Sequence, residues 1–554
     1  MPEPTLHVLM SPSPIARYPM RISSMFRHHD RLQAFLRKAP GVSRGISGVL
    51  VSCLLFLGCL LGALDSSTAR GDTLNTRPNI IVILTDDQGY GDASCLAEGA
   101  KFRTPHIDRL AHEGLAFLDG HSSDTVCTPS RYGLLTGRYS WRTHLKRGVM
   151  RAEGDCLIKQ GRPTLASMLA EQGYQTAMIG KWHLGMDFPG TRGTRDWSQP
   201  VRDMPLDKGF HYYWGIPASM NYGVLAWFEG RFAKQPPTLY TRKKPNQRAL
   251  SDYRIKPPYQ KKPLRPDDLE VAADFVDSQC LTRFTDMALN WIRSQAAAAR
   301  AGKPFFVYLP YTSPHKPVVT IEKFRGSSQA GAYGDFMLET DWHIGRLLKL
   351  LDDEQLADNT IVVLTSDNGP ENTWKQRATR YGHHSAGPYR EGKRSIYEGG
   401  HRVPFLIRWP DKIHGGRTWS QPVCQTDLIA TFAELLNVDL PHTAAEDSSS
   451  FLDVMLDKPI IATRPPLVHH SSRGRFAIRR GRWKLVMETA KLKRELYDLQ
   501  NDPAESHDVL DQHPDIVKQL KQELTNIIIK GRSTPGNPVP NDTPPWADLT
   551  WFSD

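Results

Sequence analysis

The chain has 554 residues, 40% of them hydrophobic and 23% charged, with a formal net charge of +11. That balance excludes an intrinsically disordered chain and a small disulfide-stapled module, and the length allows two or three domains around a large core. Residues 1–72 hold eight Lys/Arg against four Asp/Glu, which leaves about +7 on the remainder.

Residues 1–46 are basic and show neither helical nor strand periodicity. Gly48 to Leu64 then form an apolar run, followed by Asp65-Ser66-Ser67-Thr68-Ala69. A positive flank, an apolar middle and a small-residue exit predict a signal peptide, and hence an exported protein, periplasmic or secreted. Seventeen residues also suffice for an uncleaved anchor in a locally thinned bilayer, the one expected route to a membrane. Cys53 and Cys59 belong to this segment. Cys95, Cys127, Cys156, Cys280 and Cys424 remain, an odd number at wide spacing, so free thiols are expected.

Asn79 to Leu84 is a continuous β-branched run, the mark of a strand buried on both faces, and it ends in Thr85-Asp86-Asp87-Gln88-Gly89. Thr104-Pro105 opens a helix that Gly114 stops, and Leu115 to Leu118 is a strand. It leads to Cys127-Thr128-Pro129-Ser130-Arg131-Tyr132-Gly133-Leu134-Leu135-Thr136-Gly137-Arg138. Pro129 suits the first turn of a helix, which places Cys127 just ahead of a helix N-terminus, where free N–H groups favour negative charge; Arg131 adds a permanent cation. A cysteine alone is more often a small buried hydrophobe, but here it sits in a site made for an anion. Thr164 to Gln172 predicts a helix, and Gln175 to Ile179 a strand that exits into Gly180-Lys181-Trp182-His183-Leu184-Gly185.

Residues 231–266 carry eleven Lys/Arg and one acid, Asp252. They read as a solvated insertion or as a basic rim that attracts a polyanion. The interleaved aromatics of a nucleic-acid module are missing, so no nucleic-acid partner is expected. Asp268 to Ala299 and Tyr333 to Leu351 predict long amphipathic helices, with a strand at Phe305 to Leu309 exiting towards His315. Thr360 to Leu364 repeats the first strand's pattern and ends in Thr365-Ser366-Asp367-Asn368-Gly369. A loop with Lys393 precedes a strand at Val403 to Trp409. After Val438 the pattern changes to short alternating strands (475–480, 483–487 and 495–499), a helix from Pro514 to Lys530 and a tail expected to be loosely attached.

Alternating strands and helices predict an α/β protein: a large, mostly parallel sheet sandwiched by helices, with a smaller C-terminal antiparallel sheet plus helix. Ligands of parallel sheets bind beyond the carboxyl ends of the strands. Two adjacent strand ends would gather Asp86, Asp87, Asp367 and Asn368, hard oxygen donors with three negative charges that demand a cation. Oxygen-only ligation favours Ca²⁺ or Mg²⁺ over zinc. Either exit alone would be a mere turn; both together with the cysteine segment are not. Lys181, His183, His315 and Lys393 at other exits argue for one shared site.

The Cys127 segment resembles the signature of the type I sulfatases, C-x-P-S-R followed by L-T-G-R. From Pro78 to about Asp508 the motifs fall in the order of the arylsulfatase-A-like branch of the alkaline phosphatase superfamily. The resemblance implies that a formylglycine-generating enzyme oxidises Cys127 to formylglycine (3-oxoalanine), whose aldehyde hydrate is the nucleophile. It implies that Asp86, Asp87, Asp367 and Asn368 bind Ca²⁺, with residue 127 completing the shell. Arg131 and Lys181 would hold the hydrate, and Lys181 and Lys393 would stabilise the sulfuryl oxygens. His315, helped by Lys393, would protonate the leaving alcohol; His183 would take a proton from the second hydroxyl. Ser219 matches a sulfate-touching position. Tyr389, Glu391 and Arg394 depart from relatives that often have Leu and Gly there. His383 and His384 could reach the substrate, although adjacent loop histidines usually face solvent. The implied activity is release of inorganic sulfate from a sulfated carbohydrate or aryl sulfate. The alternatives are a phosphatase or phosphodiesterase of the same superfamily and a catalytically silent relative that binds sulfated glycans. The implied layout is 1–72 basic region and signal or anchor, 73–440 catalytic domain with the insertion 231–266, 441–535 C-terminal subdomain and 536–554 tail.

Overall fold

The computed structural model describes residues 77–242, 255–460, 463–544 and 549–552. The chain divides into residues 1–75 and 76–554. The expected signal or anchor segment and residues 243–254 of the basic insertion lie outside the described residues. Among the described residues no helix is long and apolar enough to cross a membrane.

Strand β1 (Asn79–Asp86) is the centre of the molecule, buried along its whole length. Helix α1 (Pro105–His112), β2 (Leu115–Phe117), helix α2 (Cys127–Thr136), helix α3 (Leu165–Glu171), β3 (Gln175–Lys181), β4 (Tyr212–Ile216), β5 (Phe228–Glu229) and β6 (Phe232–Ala233) follow. Helix α4 (Cys280–Arg300), β7 (Phe305–Pro314), helix α5 (Gly331–Asp353), β8 (Thr360–Ser366), β9 (Phe405–Arg408) and β10 (Arg417–Trp419) complete a ten-stranded sheet of order β10-β2-β9-β8-β1-β7-β3-β4-β5-β6. The inner strands β8, β1, β7, β3 and β4 run parallel, and antiparallel pairs lie towards both edges. Helices α1, α4 and α5 pack together on one side, and α2 packs with α3 elsewhere. Ile80, Ile81, Val82, Ile83 and Leu84 are fully buried, each such side chain contributing about 1.5–3 kcal/mol.

Register decides what the strand ends present. β1 and β8 pair from Asn79↔Thr360 to Thr85↔Ser366. Asp86-Asp87 and Asp367-Asn368 therefore leave the sheet side by side, as the repeated sequence pattern predicts.

Four antiparallel strands, β11 (Leu467–His470), β12 (Phe476–Arg480), β13 (Trp483–Val486) and β14 (Glu495–Asp498), form the smaller sheet, backed by helix α6 (Pro514–Lys530). Two expectations need correction. The helix expected from Asp268 begins only at Cys280, because Leu269–Val271 pair with Val224–Leu225 and Leu239–Thr241 in a small separate sheet. That long-range pairing overrides the local helical pattern. The C-terminal tail is not loose either. Trp551 is 1% exposed and packs with Trp141, Phe476 and Leu524, while Asp542 accepts a hydrogen bond from Arg138 at 3.1 Å. The cradle comes from three distant segments, so local sequence could not show it.

Candidate active site

Helix α2 starts at Cys127 itself, one residue earlier than expected, with extended Val126 as its cap and Pro129 in its first turn. All ten residues of the helix are buried. Gly133 permits this: a Cβ there would lie 2.0 Å from the Ser123 hydroxyl oxygen. Gly137, at φ +63°, ends the helix in the left-handed conformation. The N-terminus of α2 is thereby pressed against the ends of β1 and β8.

The geometry gathers the expected residues. Cys127 Sγ lies 3.5 Å from Asp86 Oδ1 and 3.5 Å from Lys393 Nζ. Arg131 donates from Nε and Nη2 to Asp367 Oδ2 at 3.1 and 2.8 Å, and from Nη1 to the Lys181 carbonyl at 2.9 Å. Lys181 pairs with Asp86, and Lys393 with Asp87. His315 Nε2 is 3.8 Å from Asp87 Oδ2. Ligand atoms of Asp86, Asp87, Cys127 and His315 all lie within 4.8 Å of one another. Asp87 and His183 hold left-handed backbone, φ 68° and 62°, a strained state that proteins concentrate at functional sites.

The donor set fits a hard cation. Asp86, Asp87, Asp367 and Asn368 are all fully buried, and two of their oxygens, Asp87 Oδ2 and Asn368 Oδ1, have no hydrogen-bond partner. Buried oxygens without donors are costly unless a cation meets them.

Burial works to raise the Asp87 carboxyl, but Lys393 and His315 outweigh it and hold it below the usual range. Burial and the neighbouring Asp86 push Asp367 up to about 6. Burial, with Asp367, pushes the Cys127 thiol far above its ordinary value. Burial opposes the charge on Lys393, yet Asp87 holds its ammonium protonated. Burial lowers His315 to about 3, and burial with Lys181 and Arg131 holds His183 well below its ordinary value.

Cys127, His183, His315 and Lys393 line a single cavity of about 150 Å³. His183 Nε2 lies 3.1 Å from the Met150 carbonyl, and its Nδ1 is buried without a partner. His315 Nδ1 lies 2.6 Å from the Lys316 carbonyl, which turns Nε2 towards Asp87. Ser219 is buried with its hydroxyl unpartnered; Asn221 and Tyr222, just after it, line the cavity instead. Those two and Ser472 escape sequence reasoning; Arg394, already marked as a departure in the Lys393 loop, also lines the cavity, as does Lys316 beside His315.

His383 does not face solvent. It is buried, with Nε2 2.7 Å from Asp92 Oδ1 and Nδ1 accepting from the Lys101 N–H at 3.3 Å, while His384 is exposed. Within the basic insertion, Arg231 is paired with Asp207 and Lys234 with Glu229, so part of its charge is cancelled locally. The described cysteines are free, as expected. A second buried group, His121, Glu398, His401 and His469, also has its ligand atoms within 4.8 Å. Lys484 Nζ already supplies a cation there, 2.9 Å from Glu398 Oε1 and 3.1 Å from His401 Nε2.

Comparison with known proteins agrees with this geometry. The family model described as Sulfatase matches residues 78–438, and the C-terminal model of N-sulphoglucosamine sulphohydrolase matches residues 389–530. An N-acetylgalactosamine-6-O-sulfatase of Bacteroides thetaiotaomicron is 33% identical over 487 residues, covering 81% of this chain and 93% of that protein. Human arylsulfatase A is 30% identical over 484 residues, covering 82% and 88%. A solved structure described under the metabolism of multiple glycosaminoglycans by Bacteroides thetaiotaomicron superposes with a TM-score of 0.71 at 33% identity, over 82% of this chain and 99% of that one. With a family model spanning the central sheet and relatives aligned over most of its length, the chain belongs to the sulfatase family and is an enzyme that hydrolyses sulfate esters.

Proposed function

We propose that the protein releases inorganic sulfate from a sulfated carbohydrate, with residue 127 acting as formylglycine and Ca²⁺ as its metal. The observation that carries this reading is the meeting of Cys127 with Asp86 and Lys393, each at 3.5 Å, in a cavity that also holds His183 and His315. The relatives' names support a sulfated amino sugar as substrate.

Asp86, Asp87, Asp367 and Asn368 would hold the metal, which when bound polarises the sulfuryl oxygens as a Lewis acid. Formylglycine supplies a geminal diol, one hydroxyl of which is the nucleophile. The thiol itself is unsuited to the task, since burial keeps it protonated. Lys181 and Lys393 are cations fixed by Asp86 and Asp87, so their charge is oriented before substrate arrives. Arg131, locked between Asp367 and the Lys181 carbonyl, braces that pair. His183 donates from Nε2 to Met150, which leaves Nδ1 as the proton acceptor. His315 donates from Nδ1 to the Lys316 carbonyl, so its proton for the leaving oxygen must sit on Nε2. Burial disfavours that proton, and the negative charge of a bound ester restores it.

The test is mass spectrometry of the peptide holding residue 127, together with sulfate and phosphate release from matched esters by protein made with the converting enzyme. Formylglycine and sulfate release support the reading. A native thiol at 127, or faster phosphate release, overturns it in favour of a silent binder or a phosphatase. The apolar run at residues 48–64 supports export; N-terminal sequencing of protein from its native host would show cleavage after that run.

A further inference from the structure

The two groups assigned to the leaving oxygen arrive on different loops. His315 stands just past the end of β7, and Lys393 lies in the loop before the short helix Glu398–His401. Each is followed by a cation: Lys316 after His315, and Arg394 after Lys393. All four line the active cavity. Behind the wall they form, both cations meet one carboxylate. Lys316 Nζ lies 3.1 Å from Glu371 Oε2. Arg394 grips the same carboxylate with both arms of its fork, Nη2 donating to Oε2 at 2.9 Å and Nη1 to Oε1. Glu371 is 7% exposed. Burial works against its charge, but the hydrogen bonds from Arg394, with Lys393 and Lys316 close by, outweigh burial and hold the carboxyl far below its ordinary range.

Each arm of this bridge leads back to the chemistry. The Lys316 carbonyl lies 2.6 Å from His315 Nδ1, so the residue that Glu371 holds by its ammonium orients the His315 ring by its carbonyl. On the other side, the Pro370 carbonyl accepts from the Lys393 N–H at 2.9 Å, and the Arg394 N–H donates to the Thr125 carbonyl at 2.9 Å, two residues before Cys127. The loops approach so closely that a Cβ on Gly392 would lie 2.6 Å from the Pro370 carbonyl oxygen. Arg394 holds left-handed backbone, φ 79°, which costs a non-glycine residue about 1–2 kcal/mol. Its charge-assisted, bidentate pair with Glu371 offsets that strain. A glycine there would avoid the strain and lose the pair.

Resting on the sulfate-ester reading above, we propose that Glu371 is a positioning residue for protonation of the leaving alcohol. It acts through its two cations: by bridging Lys316 and Arg394 it fixes the spacing between His315 and Lys393, which no single loop could fix. The step it serves is one proton transfer. The S–O bond to the alcohol breaks, its electron pair stays on the leaving oxygen, and that oxygen takes the proton of His315 Nε2, leaving a neutral imidazole. A misplacement of about 1 Å can cost such a step about 10²-fold. The loss falls hardest on an alcohol that leaves poorly as an anion, and lightly on one that leaves well without a proton.

The experiment measures kcat/KM of converted wild-type protein, Glu371→Gln, Glu371→Asp and Arg394→Gly on a graded series of sulfate esters. The leaving groups run from nitrophenol through phenol to the 6-hydroxyl of N-acetylgalactosamine. Relative to wild type, Glu371→Gln should lose about tenfold or more at the sugar end beyond its loss at the nitrophenyl end. Glu371→Asp, which keeps the charge, should recover part of that difference. Damaged packing or weaker uniform binding would instead lower every ester alike. Thermal melts show whether Glu371→Gln folds. Arg394→Gly suits the left-handed backbone and removes one arm of the bridge, so it decides the matter if Glu371→Gln does not fold, with a smaller loss in the same direction expected. The unconverted thiol protein gives a readout independent of turnover: in calorimetry Glu371→Gln should bind the sugar sulfate no more weakly than wild type, because both cations of the wall remain. An equal loss on every ester, or weaker binding by the thiol form, overturns the inference and leaves the sulfatase reading standing. A converted wild type that hydrolyses none of the esters overturns both.

Discussion

Each buried carboxylate of the site has its own cation: Asp86 has Lys181, Asp87 has Lys393 and Asp367 has Arg131. Removing one partner of such a pair leaves an uncompensated buried charge, at a cost of about 3–5 kcal/mol. Cys127→Ala avoids that problem, because the thiol is neutral and small. It is expected to lose activity by about 10⁴-fold or more while unfolding at a temperature close to wild type. Sulfate release and thermal melts of the same preparation check this, and substantial turnover by the variant would refute the role of residue 127. At this scale the sequence was informative wherever chemistry repeats locally. Neither exit, Asp86-Asp87 nor Asp367-Asn368, stands out alone, but the repeat of one in the other, read with the Cys127 segment, could be recognised. Asn221, Tyr222 and Ser472 could not, because they become cavity walls only when loops from distant segments close on one another.

The small sheet meets the catalytic domain at buried histidines: His469 of β11, His401 of the short helix Glu398–His401 and His121 of the two-residue strand Gly120–His121. His121 Nδ1 lies 3.0 Å from His401 Nδ1, and the rings of His401 and His469 stack at 3.8 Å. Asp119, Glu398, Lys484, Arg479 and Glu505 surround them. Burial holds all three imidazoles below their ordinary pKa. The unfolded chain takes up protons near pH 6.5 where the folded one does not, so stability falls as pH drops below about 6.5. Each such histidine contributes to that fall as the pH drops from about 6.5 towards about 5.5. His469→Gln removes one of them, and its Nε2 has no partner to lose. Urea unfolding at pH 7.5 and 5.5 should show the variant losing less stability than wild type between the two; an unchanged loss would contradict this account. Elements such as α5 and α6 were legible because a helix's own periodicity marks its buried face. Residues 268–279 were not, because the partners of Leu269–Val271 lie at 224–225 and 239–241.

Across the whole molecule, stability gathers at two places far apart in sequence. One is the oxygen cluster. On the proposed reading, exhaustive chelation abolishes sulfate release, and Ca²⁺ restores it better than Mg²⁺. Ca²⁺ at a hundred times its Kd should also raise unfolding free energy by about 2.7 kcal/mol, a readout independent of conversion at residue 127. An unchanged rate after chelation and an unchanged melt on adding Ca²⁺ would sink the metal assignment. The other place is the tail, where Trp551 fills a pocket among Trp141, Phe476 and Leu524. Trp551→Ala should destabilise by about 3–5 kcal/mol in denaturant titrations, whereas a loosely attached tail would show almost no change.

The complete burial of α2 sets a clock. Any catalyst that remodels residue 127 must take the side chain and its flanking backbone into its own cleft, and the finished fold offers it neither. Lys393, which closes over Cys127, lies 266 residues further along the chain. At about 5–20 residues per second of synthesis, the signature is out of the ribosome for tens of seconds before its lid exists. On the proposed reading, maturation is then a race against folding, and a chain that folds first would be locked as a thiol. Adding the converting enzyme to folded thiol protein should yield no aldehyde, whereas the same enzyme should modify the denatured chain.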